Sequence, residues 1–144
     1  MINKLLIQTE IIKPDEMRKI DGITFTNAII VNLTVGNSKV FHDSLFRDYL
    51  VVYSELLKSI NETGKYLIVT SMSGIADEGG WYGVYVKHCD SYICWEFEFN
   101  REIHKYMFDK DDYINQVLEL KYKLEKLESL YEIEPTQIFY PECW

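Results

Sequence analysis

Basic residues are scarce in this chain: 15 Lys and Arg stand against 23 Asp and Glu over 144 residues, a formal net charge of −8. A surface that grips nucleic acid needs clustered cations opposite the phosphates, and an anionic membrane makes the same demand, so neither is an expected ligand. No apolar run reaches the roughly 20 residues that cross a bilayer. Residues 1–13 alternate and carry Glu10 where a secretory leader would hold an apolar stretch, so no signal peptide is expected. The cysteines, Cys89, Cys94 and Cys143, are odd in number and lack framework spacing, which argues against a disulfide scaffold and for the reducing cytoplasm as the compartment. Internal repeats and low-complexity linkers are absent as well.

What is present is apolar and aromatic: 47% of residues are hydrophobic and 15% carry Phe, Trp or Tyr rings. That composition excludes a disordered chain. The length suits one domain, spanning residues 1–144, with enough core to fold without a metal or disulfide staple. The acidity keeps such a domain soluble, and its field would steer in a basic protein partner.

Patterning gives the elements. Residues 4–13 alternate, with Leu5, Ile7 and Ile11 on one face and Gln8 and Glu10 on the other, as in a first strand. Residues 23–35 read as one long strand, with Ile23, Phe25, Ile29, Val31, Leu33 and Val35 sharing a face. Gly36-Asn37 follows as a hairpin turn, and residues 39–41 return. Asp43 or Ser44 caps an expected helix to about Ile60, with Phe46, Tyr49, Leu50, Tyr53, Leu57 and Ile60 as its apolar stripe and Gly64 as the left-handed stop. Residues 65–71 form a continuous apolar strand buried on both faces. Residues 81–89 and 92–97 form a hairpin across Asp90-Ser91, with Val86 opposite Trp95 and Val84 opposite Phe97. Val84, Val86, Ile93, Trp95 and Phe97 then face the core, while Tyr85, Lys87, Cys94, Glu96 and Glu98 face away. Residues 104–108 suit a further strand. Asp109 caps a helix to about Tyr131, on the stripe Tyr113, Val117, Leu120, Leu124, Leu127 and Tyr131. The apolar tail, residues 135–144, is expected to pack back on the domain or to dock a partner. The fold class is α+β, an antiparallel sheet of five to six strands with two main helices packed on one side.

The chemistry these residues offer is limited. The glycine-rich segment 73–80 lacks the Lys or following helix that would meet a phosphate, and carries Asp77 and Glu78 instead. His88, Cys89 and Cys94 lack zinc spacing, and His88 and Cys94 fall on opposite strand faces, so no metal site is expected. Glu96 and Glu98 project from one strand face, which suits paired acid–base work only inside an enclosed cleft. His42 and His104 are isolated, and no nucleophile elbow, dinucleotide fingerprint or metalloprotease motif occurs. No catalytic residue and no cofactor is therefore expected. Charge says more than motif: between Met72 and Asp112 there are nine Asp and Glu against four Lys and Arg, a net of −5. Tyr82, Tyr85 and Tyr92 are interleaved with them. Rings anchor and carboxylates orient a protein partner, which makes Asp77, Glu78, Trp81, Tyr85, Glu96 and Glu98 the candidate binding residues.

The stretch from Tyr66 to Tyr113 resembles small bacterial proteins in which a glycine-rich turn follows a strand, a hairpin ends in Trp, and an aromatic-Asp-Lys-x-x-Tyr sequence opens a helix. Here those residues are Trp95, Phe108-Asp109-Lys110 and Tyr113. The turn in that group often carries cysteines; Ser71, Ser73 and Asp77 stand here, so no metal role carries over. In size, acidity, aromatic richness and α+β order the chain resembles the immunity proteins of bacterial toxin systems, contact-dependent growth inhibition among them. The resemblance implies a cytoplasmic, non-enzymatic protein, monomeric or weakly dimeric. It would neutralise a cognate toxin, a basic nuclease by preference, by covering the active site. Two other readings stand beside it: a small enzyme using Glu96, Glu98 and His88, and a structural subunit assembling through its second helix or tail.

Overall fold

Period-two patterning dominates this sequence, and strands dominate the fold. The structure, a computed structural model, describes residues 2–20, 22–36, 49–71, 83–99 and 101–135. Strand β1 (Leu5–Ile12) pairs antiparallel with β4 (Ala28–Val35), from Leu5 opposite Val35 to Ile12 opposite Ala28, and β11 (Glu132–Ile133) joins β4 in parallel. Between them β2 (Arg18–Ile20) and β3 (Ile23–Phe25) form a small hairpin. Strands β5 (Tyr49–Val51) and β7 (Val69–Ser71) pair with each other. A four-stranded antiparallel sheet runs in the order β10 (Glu102–Asp109), β9 (Tyr92–Phe99), β8 (Val84–His88), β6 (Gly64–Tyr66). Two helices complete the described residues, α1 (Tyr53–Lys58) and α2 (Lys110–Leu127). The class is α+β, as the order of patterns implies.

Helix α2 begins where the sequence says it should. The Asp109 carboxylate accepts from the Asp112 amide at 2.9 Å, and Asp111 and Asp112 lie where the helix dipole favours negative charge. Tyr113, Val117, Leu120 and Leu124 are buried. They meet Leu5, Ile29, Val31 and Leu33 from one sheet and Val86, Ile93, Trp95 and Phe108 from the other in a single apolar cluster. Each such side chain contributes roughly 1.5–3 kcal/mol on burial. The two sheets join at their rims: the Asn3 amide donates to the Met107 carbonyl at 2.7 Å, and the Asn3 side chain accepts from the Met107 amide at 2.9 Å.

The other face of β4 carries a second, smaller cluster of Ile12, Phe25, Ala28, Ile30 and Leu50. Its existence corrects the reading of residues 23–35 as one strand. Asn27 takes φ 49°, a left-handed kink, and splits the run into β3 and β4. Phe25 thereby lands on the opposite side from Ile29, Val31, Leu33 and Val35. Ile11 is likewise exposed, and Ile12 is buried in its place.

The expected helix from residue 43 is also corrected. Residues 43–48 lie outside the described residues; of the described part of that span, Tyr49–Val51 is a strand and only Tyr53–Lys58 is helical. The β-branched pair Val51-Val52 suits extended backbone, and pairing with Val69–Ser71 overrides the helical stripe. Gly64 is not left-handed; it opens β6 after Ser59, with helical φ −64°, ends α1. Residues 65–71 are buried as expected from Tyr66 to Thr70, but the run breaks at Leu67-Ile68 and serves two sheets. The buried Glu55 carboxylate takes up the Leu67 amide at 3.1 Å, satisfying backbone that the break leaves without a strand partner.

Gly36 carries the β1–β4 ladder one pair past Leu5 and Val35, its amide donating to the Lys4 carbonyl at 2.6 Å with φ 31°. A Cβ there would lie 3.1 Å from the Lys4 amide nitrogen. Gly36→Ala is expected to cost about 1–2 kcal/mol through the φ strain and that contact. Urea denaturation of the variant checks this; unchanged stability would mean this end of the ladder relaxes freely. The expected return strand at residues 39–41 and the tail beyond residue 135 lie outside the described residues.

Candidate functional site

The hairpin of β8 and β9 forms in the register its sequence dictates. Cys89 N donates to Tyr92 O at 2.9 Å across Asp90-Ser91, and Val86 stands opposite Trp95. Val84, Val86, Ile93, Trp95 and Phe97 are buried on the inner face. The residues between them must therefore face outward, away from α2.

Cross-strand pairing arranges that outward face in rows. Lys65, Tyr85, Glu96 and Lys105 stand side by side across all four strands. Lys87, Cys94 and Met107 form the row on one side. Glu98 and Ile103 form the row on the other. Tyr85 is 45% exposed and Ile103 67% exposed. Shallow grooves flank the central row. One, of about 300 Å³, is lined by Tyr85, Lys87, Cys94, Glu96, Lys105 and Met107 among others. The second, of about 430 Å³, is lined by Lys65, Tyr85, Glu96, Glu98 and Ile103 among others.

Three of the six candidate binding residues, Tyr85, Glu96 and Glu98, thus share this face. Asp77, Glu78 and Trp81 lie outside the described residues. The face is not uniformly acidic. Glu96 pairs with Lys105 at 3.4 Å, an exposed contact worth at most about 1 kcal/mol, and Lys65 and Lys87 share the surface with the two glutamates. The other described acids of the segment lie elsewhere. Asp90 sits at the hairpin tip, and Asp109, Asp111 and Asp112 gather at the start of α2, which the Lys110 amide ties to the Ser91 carbonyl at 3.0 Å. Glu102 begins β10 at the opposite end. Periodicity found the parity of Tyr85, Glu96 and Glu98 but missed Ile103 and Lys105 as their neighbours. Asn100-Arg101, set between two alternating runs, was the available signal; Arg101 takes φ 64° there.

His88 faces the other way. Its Nε2 lies 2.7 Å from the Ser59 carbonyl, which can only accept, so Nε2 carries a proton. His88, Glu96 and Glu98 therefore do not converge on one site. His104 stacks on Phe97 at 5.2 Å on the inner side, and His42 lies outside the described residues. Burial pushes the Cys94 thiol up, and the hydrogen-bonded Cys89 thiol adds to the shift. Among the described residues no three His, Cys, Asp or Glu side chains gather as a metal site. No described helix is long and apolar enough to cross a membrane. No family model matches the chain, and neither does any curated protein or solved structure compared with it.

Proposed function

We propose that this chain is an immunity-type binding protein that docks a cognate protein toxin on the outward face of the four-stranded sheet and blocks its active site in the cytoplasm. One observation carries the reading. A sheet whose inner face is filled by α2 and its neighbours turns outward an exposed ring and an exposed isoleucine, set among charges of both signs from Lys and Glu. Apolar anchors inside a charged surround suit recognition of another protein surface. Mixed charge fixes the orientation of such a partner, while the net charge of −8 favours encounter with a basic toxin such as a nuclease.

The test is co-expression with the toxin encoded beside it, followed by binding measurements on the purified pair. The wild-type chain is expected to restore growth. Tyr85→Ala with Ile103→Ala is expected to weaken binding by about tenfold or more while leaving the fold intact, since both side chains face solvent. Glu96→Lys with Glu98→Lys should slow association most at low salt. Unaltered binding by the Tyr85/Ile103 variant would sink the mapping. Failure to protect against the neighbouring toxin would sink the role.

A further inference from the structure

Strand β1 is an edge of its sheet, and its hydrogen-bonding pattern shows which groups it leaves open. Gly36 N donates to Lys4 O, so Lys4, Leu6, Gln8, Glu10 and Ile12 exchange hydrogen bonds with β4. The odd residues must then turn their N–H and C=O to the far side. Leu5 agrees: its carbonyl accepts from Gln116 Nε2 at 2.6 Å on that side. Beyond it Ile7, Thr9 and Ile11 present backbone groups that no described residue meets. A groove of about 190 Å³ runs between Ile7 and Thr9 of this strand and Gln116, Glu119 and Lys123 of α2.

Edge strands are ordinarily blunted by charge, proline or a bulge. Within β1 the sequence LLIQTEII has no proline and one charge, Glu10, which is paired with Arg18 of β2. Leu6 is 45% exposed and Ile11 39% exposed. The strand is also self-complementary in one register. About a two-fold axis through Thr9, Ile7 meets Ile11 of the second copy, Leu6 meets Ile12, Gln8 meets Glu10 and Thr9 meets itself. An axis through Glu10 would set Glu10 against Glu10, which repels. An axis through Gln8 would set Glu10 against Leu6 and call on the Leu5 carbonyl, which Gln116 already occupies.

We infer that a second copy of this chain adds its β1 antiparallel to β1 about an axis at Thr9, giving an isologous dimer joined through a continuous sheet. One strand pair buries little area, so the dimer is weak, with a dissociation constant in the micromolar range. This interface lies apart from the outward face of the four-stranded sheet and stands whether or not that face binds a toxin.

Sedimentation across a concentration series tests it, with two variants. Thr9→Pro removes an amide proton that points away from β4, where an edge strand tolerates proline. Ile11→Lys places a charge opposite Ile7 of the other copy on a residue already exposed. Circular dichroism confirms that both are folded. The wild type is expected to dimerise, and each variant to raise the dissociation constant about tenfold or more. In hydrogen exchange, protection of the Ile7, Thr9 and Ile11 amides should rise with wild-type concentration. A wild type that stays monomeric throughout would overturn the inference. So would a dimer that both variants leave undiminished, or concentration-dependent protection confined to other strands.

Discussion

Trp95→Ala is expected to destabilise the fold by about 3–5 kcal/mol, lowering the melting temperature by roughly 10–15 °C for a chain of this size. Trp95 is 1% exposed at the middle of the four-stranded sheet, with Val86 beside it on β8 and Tyr106 on β10. Its ring stands edge-on to Phe108 at 4.9 Å and to Tyr113 at 6.0 Å. Alanine removes that packing and leaves a cavity whose strand walls cannot collapse without breaking register. Thermal and urea denaturation measure the loss. A cost below about 1 kcal/mol would mean the indole is not enclosed as described.

Tyr113→Phe is expected to cost about 1–3 kcal/mol although it deletes a single oxygen. The Ser59 hydroxyl donates to the Leu56 carbonyl at 2.6 Å, which spends its only proton. Tyr113 must therefore donate to Ser59 Oγ at 2.7 Å, leaving its own oxygen to accept from Trp95 Nε1 at 3.2 Å. Phenylalanine removes both bonds from a fully buried site. The same hydroxyl makes stability depend on alkaline pH. Burial pushes Tyr113 well above the ordinary tyrosine range, ahead of the opposing hydrogen bond that Trp95 donates to its oxygen. The unfolded chain ionises near pH 10, so above that it binds fewer protons than the native state. The stabilisation is whole below about pH 10 and falls as pH rises further. Tyr113→Phe should flatten that decline without abolishing it, because burial also raises Tyr66 and Tyr53. Urea titrations of both proteins between about pH 9 and 11 decide the matter; parallel slopes would contradict the assignment.

Local rules made part of this fold legible. The β8–β9 hairpin could be read to the residue, because a two-residue turn and strict alternation together fix register. Helix α2 was legible because an Asp cap precedes a stripe four turns long. Other elements turned on pairings between distant segments. Tyr49 and Leu50 fit a helical stripe as well as a strand, and what decides between them is Val69–Ser71, some twenty positions on. Asn27 shifts the apolar alternation onto the other face with nothing in residue type to announce it, since Asn is as common in an ordinary turn.

The candidate site divides along the same line. That Tyr85, Glu96 and Glu98 share a face follows from parity alone. That Lys65, Lys105 and Ile103 stand among them depends on β6 and β10 lying to either side of the hairpin. An acidic surface was the expectation from counting charges along the chain; pairing across strands set lysines beside those glutamates.

Asn3 and Met107 stand 104 positions apart, yet they are hydrogen-bonded neighbours at the seam of two sheets. Entropy makes a closure of that span only slightly dearer than one half as long. Timing is another matter. While the ribosome is still adding β8 and β9, the opening hairpin has no rim to lean on, and the two halves of the wall assemble as strangers. Their union is a late event in the life of the chain, and such distant pairings are the ones that slow folding.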